Sequence, residues 1–243
     1  MRFSWVFAIV ALVCSADAIA QDYSTIGQHR ATYQSKMRHV YGSDATTRAD
    51  PRGGPIQRPS LPAVSPPAST RSLSFEPNVR QRDAVYERFM ARVRQSDPQA
   101  ADVFDAQHRS HNVFNVYSNI ARQYGFDPND LGDTLAAYKV LSWLIMQGEL
   151  EPERAALSAT RTQIANLSRT LPEIDDETFR LQFASELQIQ FVAMHAGWRD
   201  ALSDGPGSAK ARQYASGVAD AWHAQFGDDL RQVEMTAAGF VRR

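Results

Sequence analysis

Cysteine is almost missing from this sequence: Cys14 is the only one in 243 residues. It lies in an N-terminal segment read below as a cleavable leader. The processed chain is therefore expected to carry no disulfide, no thiol nucleophile and no thiolate metal site. A long apolar run is missing too. Phe3 to Cys14 is nearly unbroken, but as a helix it reaches only about 18 Å against roughly 30 Å of bilayer hydrocarbon. The most apolar later stretch, Leu135 to Met146, is interrupted by Lys139 and Ser142. Catalytic spacings are absent as well: no HExxH pair, no G-x-S-x-G elbow and no phosphate-cradling glycine loop. Ala215-Ser216-Gly217, the nearest approach to an elbow, falls inside a helical pattern.

The first twenty residues are what the chain offers most clearly. Arg2 supplies one positive charge, an apolar stretch follows through Trp5, Val6, Phe7, Ile9, Val10, Leu12 and Val13, and Ala18-Ile19-Ala20 closes with small residues. That is the layout of a secretory signal peptide cut before Gln21. The expected destination is the bacterial periplasm or beyond. An uncleaved anchor is disfavoured by the length of the run. The competing lipoprotein reading, with acylation at Cys14, lacks the small residue it needs, because Val13 precedes the cysteine.

The net charge of −1 conceals an uneven distribution. Residues 21–82 hold nine Arg/Lys and four Asp/Glu, whereas residues 83–243 hold sixteen and twenty-two. An acidic globular part argues against a nucleic-acid partner. The arginines of the basic part are scattered singly, as in a solvated spacer. Seven of the twelve prolines fall between Tyr41 and Pro77, with Gly53-Gly54 and many Ser and Thr. Residues 42–77 therefore read as a disordered, partly polyproline linker, and residues 21–41 as a weakly helical or disordered head.

From Asn78 onward the periodicity is helical. Val79, Val85/Tyr86, Phe89/Met90 and Val93 mark a first helix. Asp97-Pro98 opens a short second one, and Asn112 to Tyr124 forms a third, stopped by Gly125. Asp130 starts and Gly148 ends a fourth, whose residues are apolar nearly all round; it is expected to be the central element, covered by neighbours on most sides. Further helices follow from Pro152, from Asp175-Asp176-Glu177 and through Tyr214 to Gly227, with a last segment over Leu230 to Val241. The expectation is a single all-α domain over 78–243, with about seven or eight helices around the one near 130–147.

Two blocks of this domain resemble a known family. One is Tyr124-Gly125-Phe126 with Asn129-Asp130-Leu131-Gly132-Asp133-Thr134-Leu135-Ala136-Ala137-Tyr138, Trp143 and Gly148. The other is Asp229-Leu230-Arg231 with Thr236-Ala237-Ala238-Gly239-Phe240-Val241. Together they are similar to the core and closing segments of the DUF6683 family. That resemblance implies a predominantly helical exported protein with Gly125, Asp127, Asp130, Tyr138, Trp143, Gly148, Gly239 and Phe240 as motif residues. It implies no reaction.

Four constellations invite chemistry, each against a plainer alternative. Asp127 to Asp133 begins like a calcium loop, but Leu131 and Tyr138 occupy ligand positions, and capping of the fourth helix explains the same residues. His108 and His111 are spaced to share a helix face and are candidate metal ligands, although Asn112 suggests a helix junction there. Glu186 sits beside an apolar stripe and is the candidate catalytic carboxylate; partnership with an arginine such as Arg180 is its bland reading. Trp143, Trp198, Trp222, Tyr138 and Phe191 suit core packing before they suit a ligand pocket. The expected function is a non-enzymatic exported binding protein acting on an envelope protein or ligand, with no cofactor. The alternative is a periplasmic hydrolase of cell-wall or peptide material working through Glu186.

Overall fold

Local signals for starting and stopping helices set most of the architecture. A computed structural model describes residues 71–149 and 151–243. The expected signal peptide with Cys14, the head and the linker as far as Thr70 lie outside the described residues. Helix α1 (Val79–Ser96) starts where Asn78 accepts a hydrogen bond from the Gln81 amide at 3.1 Å. Asp97 caps α2 (Pro98–His111) through the Ala100 amide at 2.9 Å, and Asn112 caps α3 (Val113–Gln123) through the Phe114 amide at 3.0 Å. Helix α2 is longer than its two apolar signals, Val103 and Phe104, suggest. Gly125, at φ 80°, ends the third helix as expected.

Helix α4 (Leu131–Gln147) is the hub. Every residue from Leu131 to Ile145 is buried, as all-round apolarity requires. Asp130 caps its start through the Asp133 amide at 3.0 Å. Its end is a Schellman closure: the Gly148 amide donates to the Ile145 carbonyl (3.1 Å) and the Glu149 amide to the Leu144 carbonyl (2.9 Å). Gly148 stands at φ 75°, which a residue with a Cβ adopts only under strain. Helices α5 (Arg154–Ser168), α6 (Glu177–Ala201) and α7 (Ala209–Phe226) pack around it.

Polar groups buried on the hub find partners. Thr134 and Ser142 donate back to the Asp130 and Tyr138 carbonyls, and Asp133 pairs with Arg161. Lys139 donates to Asp228 at 2.8 Å, with its ammonium 5.3 Å from the Trp222 ring centroid and 4.8 Å from that of Phe240. A second, smaller apolar cluster joins α1, α2 and the start of α3 to Ile189 and Ala193 of α6, so that long helix ties both cores together.

Two stretches differ from the sequence-based expectation. The last segment is an antiparallel hairpin, β1 (Val233–Thr236) with β2 (Gly239–Arg242), in the register Val233↔Arg242 to Thr236↔Gly239. It is held from outside its own ladder: the Gln163 side chain bonds both the amide and the carbonyl of Phe240 (2.9 and 2.8 Å), and the Trp143 indole donates to the Val233 carbonyl at 3.2 Å. These contacts come from helices far away in sequence and override a weak local pattern. The fold remains overwhelmingly helical.

The second difference is the strap, residues 71–77, which composition groups with the linker. Leu73 and Phe75 are buried, and the strap bonds the loop before α4 through Leu131 N–H to Leu73 C=O and Phe75 N–H to Asn129 C=O, both 2.9 Å. Arg71 pairs with Asp175 and donates to the Arg169 and Leu171 carbonyls. Arg180 reaches the Ser74 carbonyl at 2.8 Å and the Ile174 carbonyl at 2.6 Å. Gly132 makes this approach possible, since a Cβ there would lie 2.7 Å from the Leu73 side chain and 3.2 Å from the Ala165 backbone.

Candidate functional site

Two adjoining concave sites lie along α3 and α6. One cavity, of about 290 Å³, is walled by apolar side chains of α3, α4 and α6, among them Ile120, Leu141, Leu144, Phe191 and Trp198. A wider one, of about 680 Å³, lies toward α2 and takes in His108, His111, Val113 and Val192. The two adjoin, because Ile120, Tyr124, His195 and Arg199 line both. A trough therefore runs across the face of the protein with its polar groups in the middle.

The chemistry of that seam follows from helix geometry. His195 and Arg199 are one turn apart on α6, which places them on one face. Neither makes a hydrogen bond or ion pair among the described residues; the imidazole stacks on Phe191 with ring centroids 6.3 Å apart. Burial, assisted by the Arg199 charge, lowers the His195 pKa, so the ring is neutral near pH 7. Glu149 and Glu151 line the smaller cavity, where the Tyr124 hydroxyl donates to Glu151 at 3.0 Å. Trp198 offers its ring to the same wall, and its buried indole N–H has no acceptor among the described residues.

The motif residues take structural posts. Asp127 turns the chain through the Asn129 amide (2.9 Å), and the Asp133 carboxylate receives the Asp127 amide at 2.7 Å and the Arg161 guanidinium at 2.9 Å. Asp130 caps α4, and burial raises its pKa. The acidic loop is thus spent on backbone amides and Arg161. Among the described residues no group of three or more His, Cys, Asp or Glu could hold a metal ion. Tyr138 packs on Trp222 and Phe226, and Trp143 packs edge-on against Phe240. Gly239 turns into β2 at φ 95°.

His108 and His111 reach the end of one helix, and both line the wider cavity, yet His108 has local work. Its Nδ1 accepts the Val113 amide at 3.2 Å, and its ring stacks on Tyr86 at 3.8 Å. Burial lowers its pKa, against the pull of Asp105, Asp83 and Glu87. Glu186 has an arginine partner, but a different one from Arg180: Arg92 of α1 donates to it at 2.6 Å, with only 15% of the glutamate side chain exposed. Arg180 is directed to backbone carbonyls instead. Of the five aromatics, Trp143, Trp222 and Tyr138 belong to the core, while Phe191 and Trp198 are buried and also wall the smaller cavity.

Comparison with protein-family models, curated proteins and solved structures finds no match to this chain. The seam around His195 and Arg199 escaped sequence reasoning because it forms only when α3 is laid against α6. The i, i+4 spacing of His195 and Arg199 was the one available signal.

Proposed function

We propose that this protein is a non-enzymatic, exported helical binding domain of the bacterial envelope, related to the DUF6683 proteins, whose working surface is the α3–α6 trough. The observation carrying this reading is the pair of adjoining, mostly apolar cavities with His195 and Arg199 where they meet. Cavities near and above about 300 Å³ with few polar groups are the usual form of small-ligand sites. The export half rests on the layout of residues 1–20, and no helix among the described residues is long and apolar enough to cross a membrane. The hydrolase reading needs Glu186 available in a cleft, whereas Arg92 holds it in an ion pair at the α1–α6 contact.

The test has two arms. Fractionation with N-terminal sequencing is expected to find the chain outside the cytoplasm and beginning at Gln21. Titration with the neutral fluorophore Nile red is expected to give saturable binding that Ala137→Phe, which fills the smaller cavity, abolishes while α-helical circular dichroism is kept. A cytoplasmic chain retaining Met1–Ala20 refutes export. Nile red binding that is absent, or indifferent to Ala137→Phe, refutes the trough.

A further inference from the structure

The seam of the trough specifies more than apolar binding. Arg199 is a cation exposed at the cavity mouth, and no ion pair joins it to any described carboxylate, including Glu149 and Glu151 of the same cavity. Several other groups of the site have a local use: Glu151 receives Tyr124, and His108 holds the Val113 amide. One turn before Arg199 stands His195, a ring with an N–H to give and no acceptor among the described residues. Both line the two cavities at once. A ligand whose body fills the smaller cavity meets these two nitrogen donors as it emerges.

We infer that the trough binds a small amphipathic carboxylate, its apolar body in the cavity between α3, α4 and α6 and its carboxylate on Arg199 and His195. The inference rests on the trough being the working surface. Volume bounds the body: the smaller cavity, about 290 Å³, suits a compact aromatic body. Charge sets the head. A guanidinium with no partner matches a carboxylate in a two-point fork, and the neighbouring imidazole adds a third donor. Glu149 and Glu151, exposed where they line the smaller cavity, disfavour an anion beside them, which directs the carboxylate to the seam. The wider cavity then serves as the vestibule.

The same carboxylate chemistry exists at the C-terminus of a peptide ending in an aromatic residue, so both sources enter the test. Calorimetric titration of the full chain compares phenylbutyrate, phenylbutanol and phenylbutylamine, which share one body and differ in the head. Phenylbutyrate is expected to bind about ten-fold tighter than the alcohol, as a charge-assisted contact at a part-exposed site gives. Arg199→Gln is expected to erase that difference by weakening the acid far more than the alcohol, and His195→Gln to reduce it. Acetyl-Ala-Phe against its C-terminal amide tells a peptide end from a free acid, a preference for the acid form supporting the peptide source. An alcohol or amine that binds as tightly as the acid, or an Arg199→Gln loss equal for all three heads, overturns the proposal even where Nile red still binds. Failure of Nile red binding instead removes the trough reading beneath it.

Discussion

Lys139 and Asp228 offer the most decisive perturbation of the fold. The lysine side chain is 0% exposed and the aspartate 8%, with 2.8 Å between the ammonium and the carboxylate. Substituting Asp228→Ala takes the carboxylate away from an ammonium buried in the core, with the Trp222 and Phe240 rings in reach. Losing one member of a buried pair generally costs about 3–5 kcal/mol. Ring faces retain about 1–2 kcal/mol for a desolvated cation, so a loss of about 1–4 kcal/mol is expected. Lys139→Met leaves a carboxylate at the edge, where water can reach it, and about 2–3 kcal/mol follows. The double variant buries no charge and fills the site with a flexible apolar chain, so it should lie within about 2 kcal/mol of the parent. The coupling, the summed single losses less the double loss, is then at least about 1 kcal/mol, against the roughly 5–15 kcal/mol typical of a domain. Urea unfolding followed by circular dichroism measures all four corners of the cycle. Single losses under about 0.5 kcal/mol, or a double loss equal to the sum of the singles, would refute the assignment of this pair as a buried, coupled one.

Three further outcomes are expected. Leu73→Ala should destabilise by about 2–4 kcal/mol in urea, because its side chain is buried against Gly132, whereas Val79→Ala, 74% exposed, should stay within about 0.5 kcal/mol; equal effects would mean that the strap is not part of the cooperative unit. Gly239→Ala should cost about 1–2 kcal/mol by the same assay, since φ is 95° and the new Cβ would sit 2.9 Å from Gln163 Oε1, while Gly207→Ala, with open space around it, should cost less than about 0.5 kcal/mol. Burial lowers the pKa of both His108 and His195, so the unfolded chain binds more protons than the folded one below about pH 6.5. Stability from these groups is complete above that pH and declines as pH falls through their folded values. Tm measured from about pH 7.5 to about pH 5 should drop, and the His108→Gln/His195→Gln variant should flatten the slope; an unchanged slope would contradict the burial of the two rings.

Helix boundaries were legible because capping is chemistry between neighbours: Asn78, Asp97 and Asp130 each bond the amide three residues on, and Gly148 supplies its own left-handed turn. The hub was legible because a helix apolar on every side has no stable place except the middle. The hairpin was not, since its strands are four residues each and draw their fixation from Gln163 and Trp143. Nor was the partner of Glu186, which lies 94 residues away in sequence. Aromatic residues could be assigned to the interior but not divided between core and cavity wall, because that division depends on which helices leave a gap. The strap hid behind prolines: the alternation of Leu73 and Phe75 around Ser74 covers too few positions to stand out from a linker.

That strap also decides how force enters the molecule. Whatever lies N-terminal to Arg71 is joined to the fold beside the first turn of its most deeply buried helix, not at a fraying end. Tension on the chain there is borne by the Arg71 fork on Asp175 and the neighbouring carbonyls, then by the paired backbone bonds at Leu73 and Phe75. Trimming the gene at Asn78, where helical signals begin, would discard that anchorage and leave the Leu131 amide and the Arg180 guanidinium short of acceptors.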